Sequence, residues 1–114
     1  MKFGNVAANA EINVSSQQIA VTPSATITLD ITTGSIAAWT AGENETVNAS
    51  GTQVIGQRLT CIIRNDSVLP RTITFGTGFI AAATAVGTTN TTTAIEFVSN
   101  GTSFFELART PALA

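Results

Sequence analysis

The sequence predicts an all-β domain: an antiparallel β-sandwich, jelly-roll-like, of about eight short strands. Three observations carry that expectation. Apolar and polar residues alternate with period two along several short stretches. The bulky apolar residues are mostly Ile, Val and Phe, and Thr is the most frequent residue at 20 positions, so β-branched and aromatic side chains dominate. Turn signals rich in Gly, Asn, Asp and Pro punctuate the chain at intervals of roughly ten residues, the spacing of a sandwich or barrel.

The elements follow in order. A first short strand is expected at Ala10–Val14, within a leading segment, residues 1–23, that reads as an arm or edge strand ahead of the domain. In "ATITLDI", Ala25, Ile27, Leu29 and Ile31 share one face and Thr26, Thr28 and Asp30 the other, which is a half-buried strand. Ser35–Thr40 and Glu45–Ala49 are shorter strands separated by the turn "AGEN". "QRLTCIIRN" sends Leu59, Cys61 and Ile63 inward and Arg58, Thr60 and Arg64 outward, with Ile62 as an apolar exception on the outer side. After it, Asn65, Asp66 and Ser67 start a turn, because Asn and Asp side chains hydrogen-bond their own backbone. Pro70 ends that turn, since it donates no ladder hydrogen bond and suits the start of a strand. "RTITF" then places Ile73 and Phe75 inward, so the stretch Ile62–Gly76 reads as a β-hairpin with Arg64 and Arg71 at its strand ends, either able to pair with Asp66. "FIAAATAV" is too short and too close to glycines for a helix and is read as irregular or as a short edge strand. "GTTNTTTA" is a polar linker into the last two strands, Thr93–Ser99 and Ser103–Arg109.

Those two strands form a hairpin, because Asn100-Gly101 supplies the positive φ a tight turn requires. A two-residue loop would set Ile95 opposite Glu106 and waste the apolar face. A three-residue loop, Ser99-Asn100-Gly101, puts Ile95, Phe97, Phe105 and Leu107 on one face and is the expected register. Val98 and Phe104 then fall on the outer face, as ordinary surface residues or as a subunit contact. The domain is accordingly expected over 24–110, with a short tail at 111–114.

At 114 residues the chain suits one domain, which buries roughly two thirds of its unfolded surface. Only 11% of residues are charged, well under the roughly 25% of ordinary soluble domains. Thr, Ser, Asn and Gln must cover the surface, or other subunits must hide part of it. The formal net charge is −2 and the four Arg and one Lys are scattered, which speaks against nucleic acid. Cys61 is the lone cysteine, so neither an internal disulfide nor a cysteine zinc cluster can form; its apolar neighbours suggest a buried, inert thiol. There is no histidine, the commonest general base and metal ligand. No stretch approaches the roughly 20 apolar residues of a membrane span, and "MKFGNVAANAEINV" has no signal-peptide h-region. The expectation is a complete, soluble chain made in a cytoplasm. Six of eight Asn head Asn-x-Ser/Thr triplets, which a Thr-rich chain generates by chance.

Candidates for chemistry are few. Glu43 and Glu45 have a spacing that can hold a hard cation, but no third acid lies near in sequence, and a solvated turn is the simpler reading. Glu96 and Glu106 fall on the last hairpin, where paired carboxylates can do acid–base work but more simply solubilise the surface. "GTGF" is followed by no helix and is no phosphate cradle. Trp39 suits the core or a subunit contact more than a sugar-stacking platform. Without histidine no nucleophile–base pair can be assembled, except from Ser or Thr with Lys2, which sits at the terminus, so no enzyme, catalytic residue, metal or cofactor is expected.

Two segments carry a family likeness. "GQRLTCIIRNDSVLPRTITFG" has the order Gly-Gln, alternating strand, Asn-Asp turn, then Arg-Thr-Ile-Thr-aromatic-Gly, and "AIEFVSNGTSFFELAR" has a closing hairpin of Phe, Asn-Gly-Thr, aromatic and Glu-Leu. From about Ser24 to Arg109 the chain resembles a small β domain of tailed-bacteriophage virion proteins, which include capsid decoration proteins, head fibres and tail-fibre modules. Phe75 and Phe104 stand where tryptophan is frequent in that family, and the turn at Asp66–Pro70 is longer. The resemblance implies a non-enzymatic, homotrimeric protein of the virion, made in the host cytoplasm. Its partners would be its own copies and the major capsid protein, with neither nucleic acid nor membrane. The short leading segment fits an arm laid on a capsid, so a decoration (cement) protein on the capsid surface is the expected role. The alternative is a head-fibre or tail-fibre knob that binds a host receptor or glycan. Trp39, Val98 and Phe104 are the candidate subunit contacts, and Asn100, Gly101, Asp66 and Pro70 the structural turn residues.

Overall fold

The computed structural model describes residues 17–80 and 84–113, and within them every regular element is a strand. Nine strands follow in order: β1 Thr26–Asp30, β2 Ile36–Ala41, β3 Glu45–Ser50, β4 Arg58–Asn65, β5 Thr72–Phe75, β6 Phe79–Ile80, β7 Ala85–Val86, β8 Thr92–Ser99 and β9 Phe104–Arg109. The all-β expectation holds, and the long strands sit within one or two residues of their expected limits. The segment Ala10–Val14 lies outside the described residues.

The topology departs from the antiparallel, jelly-roll-like sandwich. One sheet has the order β1-β3-β5-β7 and the other β2-β4-β8-β9-β6, so the chain steps from sheet to sheet with each strand from β1 to β7. Strands two apart in sequence therefore become neighbours, and they run parallel: β1 beside β3, β3 beside β5, β2 beside β4. Residues 17–19 continue the pattern. Gln18 bridges Ile36 in parallel, and the Ile19 amide donates to the Ile36 carbonyl at 2.7 Å. This half of the molecule is a coil of two-strand turns, solenoid-like. A parallel pair needs a long crossover, and here the crossover is a strand of the opposite sheet. The second half reverses direction: β7 is antiparallel to β5, β8 to β4, and β9 to β8, while the short β6 lies parallel to β9.

Alternation works as expected inside each strand. β1 has the burial pattern of exposed and buried residues in turn, with Ile27 and Leu29 inward, and β4 sends Leu59, Cys61 and Ile63 inward. Facing them across the interior are Val47 and Ile73 of the first sheet and Ala37, Trp39, Ile95 and Phe97 of the second. Four phenylalanines lock one end: Phe75 reaches across from the first sheet with its ring centroid 5.1 Å from Phe79 and 5.1 Å from Phe97, and Phe79 lies 5.8 Å from Phe104. Tilted and edge-on ring pairs at such distances add about 0.5–1.5 kcal/mol each beyond their area.

Ile19, in the segment read as an arm or edge strand, is 1% exposed, belongs to the core and lies at the edge of β2. Leu113, placed in the tail, exchanges backbone hydrogen bonds with Thr92 at 2.7 and 2.9 Å and so extends the antiparallel ladder of β8.

Ile62–Gly76 is not a hairpin. β4 belongs to one sheet and β5 to the other, so the turn arches across the end of the molecule between layers. Strand periodicity says which residues face inward, but it cannot say whether the next strand returns beside the last or crosses over the core.

Candidate functional site

The closing hairpin decides which residues the surface presents. Phe97 pairs with Glu106, Val98 with Phe105 and Ser99 with Phe104, so the loop is the four residues Asn100–Ser103 rather than three. The Asn100 side-chain oxygen accepts from the amides of Thr102 at 2.9 Å and Ser103 at 2.8 Å, which draws one more residue into the turn than the expected three. Gly101 has the positive φ expected of it, +102°. A bulge between Glu96 and Phe97 shifts the register again further along. The expected parity is therefore inverted in β9: Phe104 is fully buried, whereas Phe105 and Leu107 are 39% and 51% exposed. Phe104 is a core residue, not a subunit contact. Val98 does lie on the outer face, half-buried beside Phe105. Ser99 is buried instead, and its hydroxyl accounts for itself by donating to Gln53 Oε1 at 2.6 Å and accepting from the Gly101 amide at 2.9 Å.

Trp39 is also interior, at 6% exposure. Its indole N–H donates to Glu45 Oε1 at 2.8 Å, a bond that ties β2 in one sheet to β3 in the other. Glu45 is 3% exposed and its second oxygen, Oε2, is buried without a hydrogen-bond partner among the described residues. Burial pushes its carboxyl above the usual glutamate range; the Trp39 bond and the charge of Arg71 pull the other way, and the charge of Glu43 adds to the rise. The solvated-turn reading of "AGENET" thus fails for Glu45 and holds for Glu43, which is exposed. One face of the alternation, Glu45 with Val47, was the available signal, since both follow the inward parity of β3. The two acids do not converge on a cation site, and among the described residues no three acidic, cysteine or histidine side chains gather.

The arch carries the other structural residues. Asn65 is buried; its amide nitrogen donates to the Leu69 carbonyl at 2.7 Å and its oxygen accepts from the Arg71 amide at 3.0 Å. Asp66 makes the local turn bond, accepting from the Val68 amide at 3.3 Å. Of the two arginines, Arg71 takes Asp66, Nη2 to Oδ2 at 2.9 Å and Nε to Oδ1 at 3.2 Å, while Arg64 reaches only Thr92 Oγ1 at 3.4 Å. That guanidinium holds the Asp66 carboxyl below the ordinary range, helped by the Val68 and Leu69 amides and opposed by partial burial. Pro70 closes the arch two residues before β5. Glu106 is bound by Arg109, at 2.5 and 2.6 Å, and Glu96 stands exposed on the outer face, so these two carboxylates have separate environments. Cys61 is fully buried, and burial pushes its thiol up to about 12.

With the interior assigned, two outer faces remain, and they differ. The β1-β3-β5 face shows Thr26, Thr28, Asp30, Thr46, Asn48, Ser50, Thr72 and Thr74, with Thr26, Thr46 and Thr74 in register across the three strands. Every side chain there is polar. The outer face of β2-β4-β8 shows Ala38, Ile62, Ala94 and Val98 among Arg58, Thr60, Arg64 and Glu96. Two shallow hollows interrupt it, of about 380 Å3 over Ala38, Ile62 and Arg64 and about 300 Å3 over Thr60, Ala94 and Ala108. The ends add exposed apolar pairs: Val54 and Ile55 (65% and 80%) in the β3–β4 loop, and Val68 and Leu69 (67% and 56%) on the arch.

No family model, curated protein or solved structure matches the chain.

Proposed function

We propose that the chain is a structural virion protein, a homotrimeric decoration (cement) protein that binds the major capsid protein on the outside of a phage head and performs no catalysis. The observation that carries the reading is the likeness of Gly56–Gly76 and Ala94–Arg109 to the virion β domain, and two features of the molecule support it. Charged residues are scarce, at 11%, and the apolar side chains left outside the core are grouped on one sheet face and two loop tips. Contiguous exposed apolar surface marks interaction sites more often than catalytic ones. The candidate acids also sit apart, with Glu45 bonded to Trp39 and Glu106 to Arg109, so that these carboxylates share no cleft.

Cement action needs only area and multiplicity. At about 25 cal/mol per Å2, a few hundred Å2 of apolar contact per subunit gives several kcal/mol before association costs. A trimer attached at three points multiplies the effect through local concentration.

A second reading, a head-fibre or tail-fibre knob binding a host receptor or glycan, is favoured by the Val54–Ile55 and Val68–Leu69 tips, which would be the contacting ends of such a knob. Co-sedimentation with empty phage capsids, beside a glycan array, separates the two. Saturable capsid binding with a blank array is expected; array hits without capsid binding would overturn the cement reading in favour of the knob. Deleting residues 2–16 should weaken capsid binding while leaving the β circular-dichroism spectrum intact, and unchanged binding would dismiss the role of the leading segment.

A further inference from the structure

We propose that the outer face of β2-β4-β8 is where a second copy of this chain docks, with Ile62 at the centre of the contact and Arg58, Arg64 and Glu96 meeting one another across it. The inference rests on the reading of the chain as a self-assembling structural protein; the reciprocal contact is two-fold, so it joins copies of neighbouring trimers and is not the threefold contact within one.

The first ground is the contrast between the two outer faces. The Thr-rich face, built of the parallel strands β1, β3 and β5, shows what this sequence places toward water. On the other face Ile62 stands between Ala38 on β2 and Ala94 on β8, in one register row across the three strands. Val98 continues the apolar strip opposite Arg58. Half-buried Ile62 stands in that row between small residues, with a hollow on either side, a relief that the same patch on a second copy can fill.

The second ground is charge. Among the described residues the ion pairs are Arg71–Asp66, on the arch, and Arg109–Glu106, whose Arg109 borders the hollow beside Ala94 at the edge of this face. Arg58 and Arg64 lie on β4 and Glu96 on β8, with Glu96 directly opposite Thr60, between the two arginines along the strand. All three are exposed. A face bearing both signs on adjacent strands is complementary to itself: a second copy turned onto it brings its Glu96 toward the first copy's arginines and receives the reverse contact. Such opposed charges fix register and exclude other pairings more than they add affinity.

Sedimentation velocity and native mass from nanomolar to micromolar chain test this, with circular dichroism to confirm folding. The wild-type chain is expected to self-associate. Ile62→Asp and Glu96→Arg should each raise the dissociation constant by about tenfold or more, equal to about 1.4 kcal/mol or more. Thr74→Arg, on the polar face, should leave it unchanged. The decisive arm mixes two variants: Glu96→Arg and the double variant Arg58→Glu/Arg64→Glu should each be impaired alone and should assemble with one another. A wild-type chain that stays monomeric throughout overturns the proposal, as does an assembly indifferent to Ile62→Asp and Glu96→Arg. Capsid co-sedimentation keeps the two claims apart. A monomer that still binds capsids removes this interface and leaves the virion reading standing, and an assembly mapped to this face with no capsid binding does the opposite.

Discussion

Two adjacent phenylalanines give the account its sharpest test. Phe104 and Phe105 are the same residue type, one peptide apart, on opposite faces of β9. Phe104 is 0% exposed and packs against Phe79, itself in contact with Phe75 and Phe97. Truncating a buried phenylalanine to alanine costs about 3–5 kcal/mol, from lost transfer energy together with the cavity left behind. Part of that comes from the ring pair with Phe79, about 0.5–1.5 kcal/mol. Phe105 is 39% exposed, and its truncation should cost about 1 kcal/mol or less. The assay is urea unfolding of Phe104→Ala, Phe105→Ala and wild type at two protein concentrations, so that any contribution from assembly separates out. A chain of this size loses about 4–8 °C of Tm per kcal/mol, so Phe104→Ala should fall by more than ten degrees or fail to fold. Phe104→Leu, which keeps most of the volume, then gives a measurable intermediate loss. If Phe105→Ala were the more damaging substitution, the hairpin register would be wrong, and with it the placing of every side chain in β9.

Three further outcomes are expected. Glu45 has a carboxyl raised by burial, so its contribution to stability is complete below the ordinary glutamate value and is lost as pH rises through the folded value. Glu45→Gln, which keeps the acceptor for Trp39 and cannot ionise, should therefore match wild type in acid and exceed it at neutral pH, as read by denaturation at a series of pH values. A constant difference across pH would show that Glu45 does not titrate in the folded interior. Asn65→Ala removes the bonds to the Leu69 carbonyl and the Arg71 amide, and should cost about 1–3 kcal/mol and speed proteolysis at Val68–Leu69; an unaltered cleavage rate would mean that the arch is held by other contacts. A Cβ at Gly34 would overlap the Gln17 carbonyl oxygen, so Gly34→Ala should displace residues 17–19 from the edge of β2. Hydrogen exchange at the Ile19 and Ile36 amides reports it: both should lose protection, and retained protection would argue against the first turn of the coil.

Much of the strand inventory was legible because burial on one face imposes period two, and β1, β4 and β8 show it plainly. Strand direction was not. Alternation is identical for a strand that returns beside its predecessor and one that crosses to the opposite sheet, so "NDSVLP" read as a hairpin turn when it is an arch. The last hairpin failed for a narrower reason. The side chain of Asn100 captures two amides, and that lengthened the loop by one residue and reversed the parity of β9. Glu45 was misread because charge suggested solvent, while the indole of Trp39, the group that tolerates it inside, is brought near only by the packing of one sheet on the other. The outer-face character of Ile62 was visible from the start as an exception to the pattern of β4. The meaning proposed for it needed the neighbouring strands, because Ala38 and Ala94 join it only through the register of β2 and β8.

The most direct test of the proposed role is a low-resolution map of the phage particle with this protein present and absent. Decoration predicts extra threefold density at capsomer junctions that disappears with the protein, and a head that loses its contents more readily without it. Density confined to the tail, or two identical maps, would contradict the account.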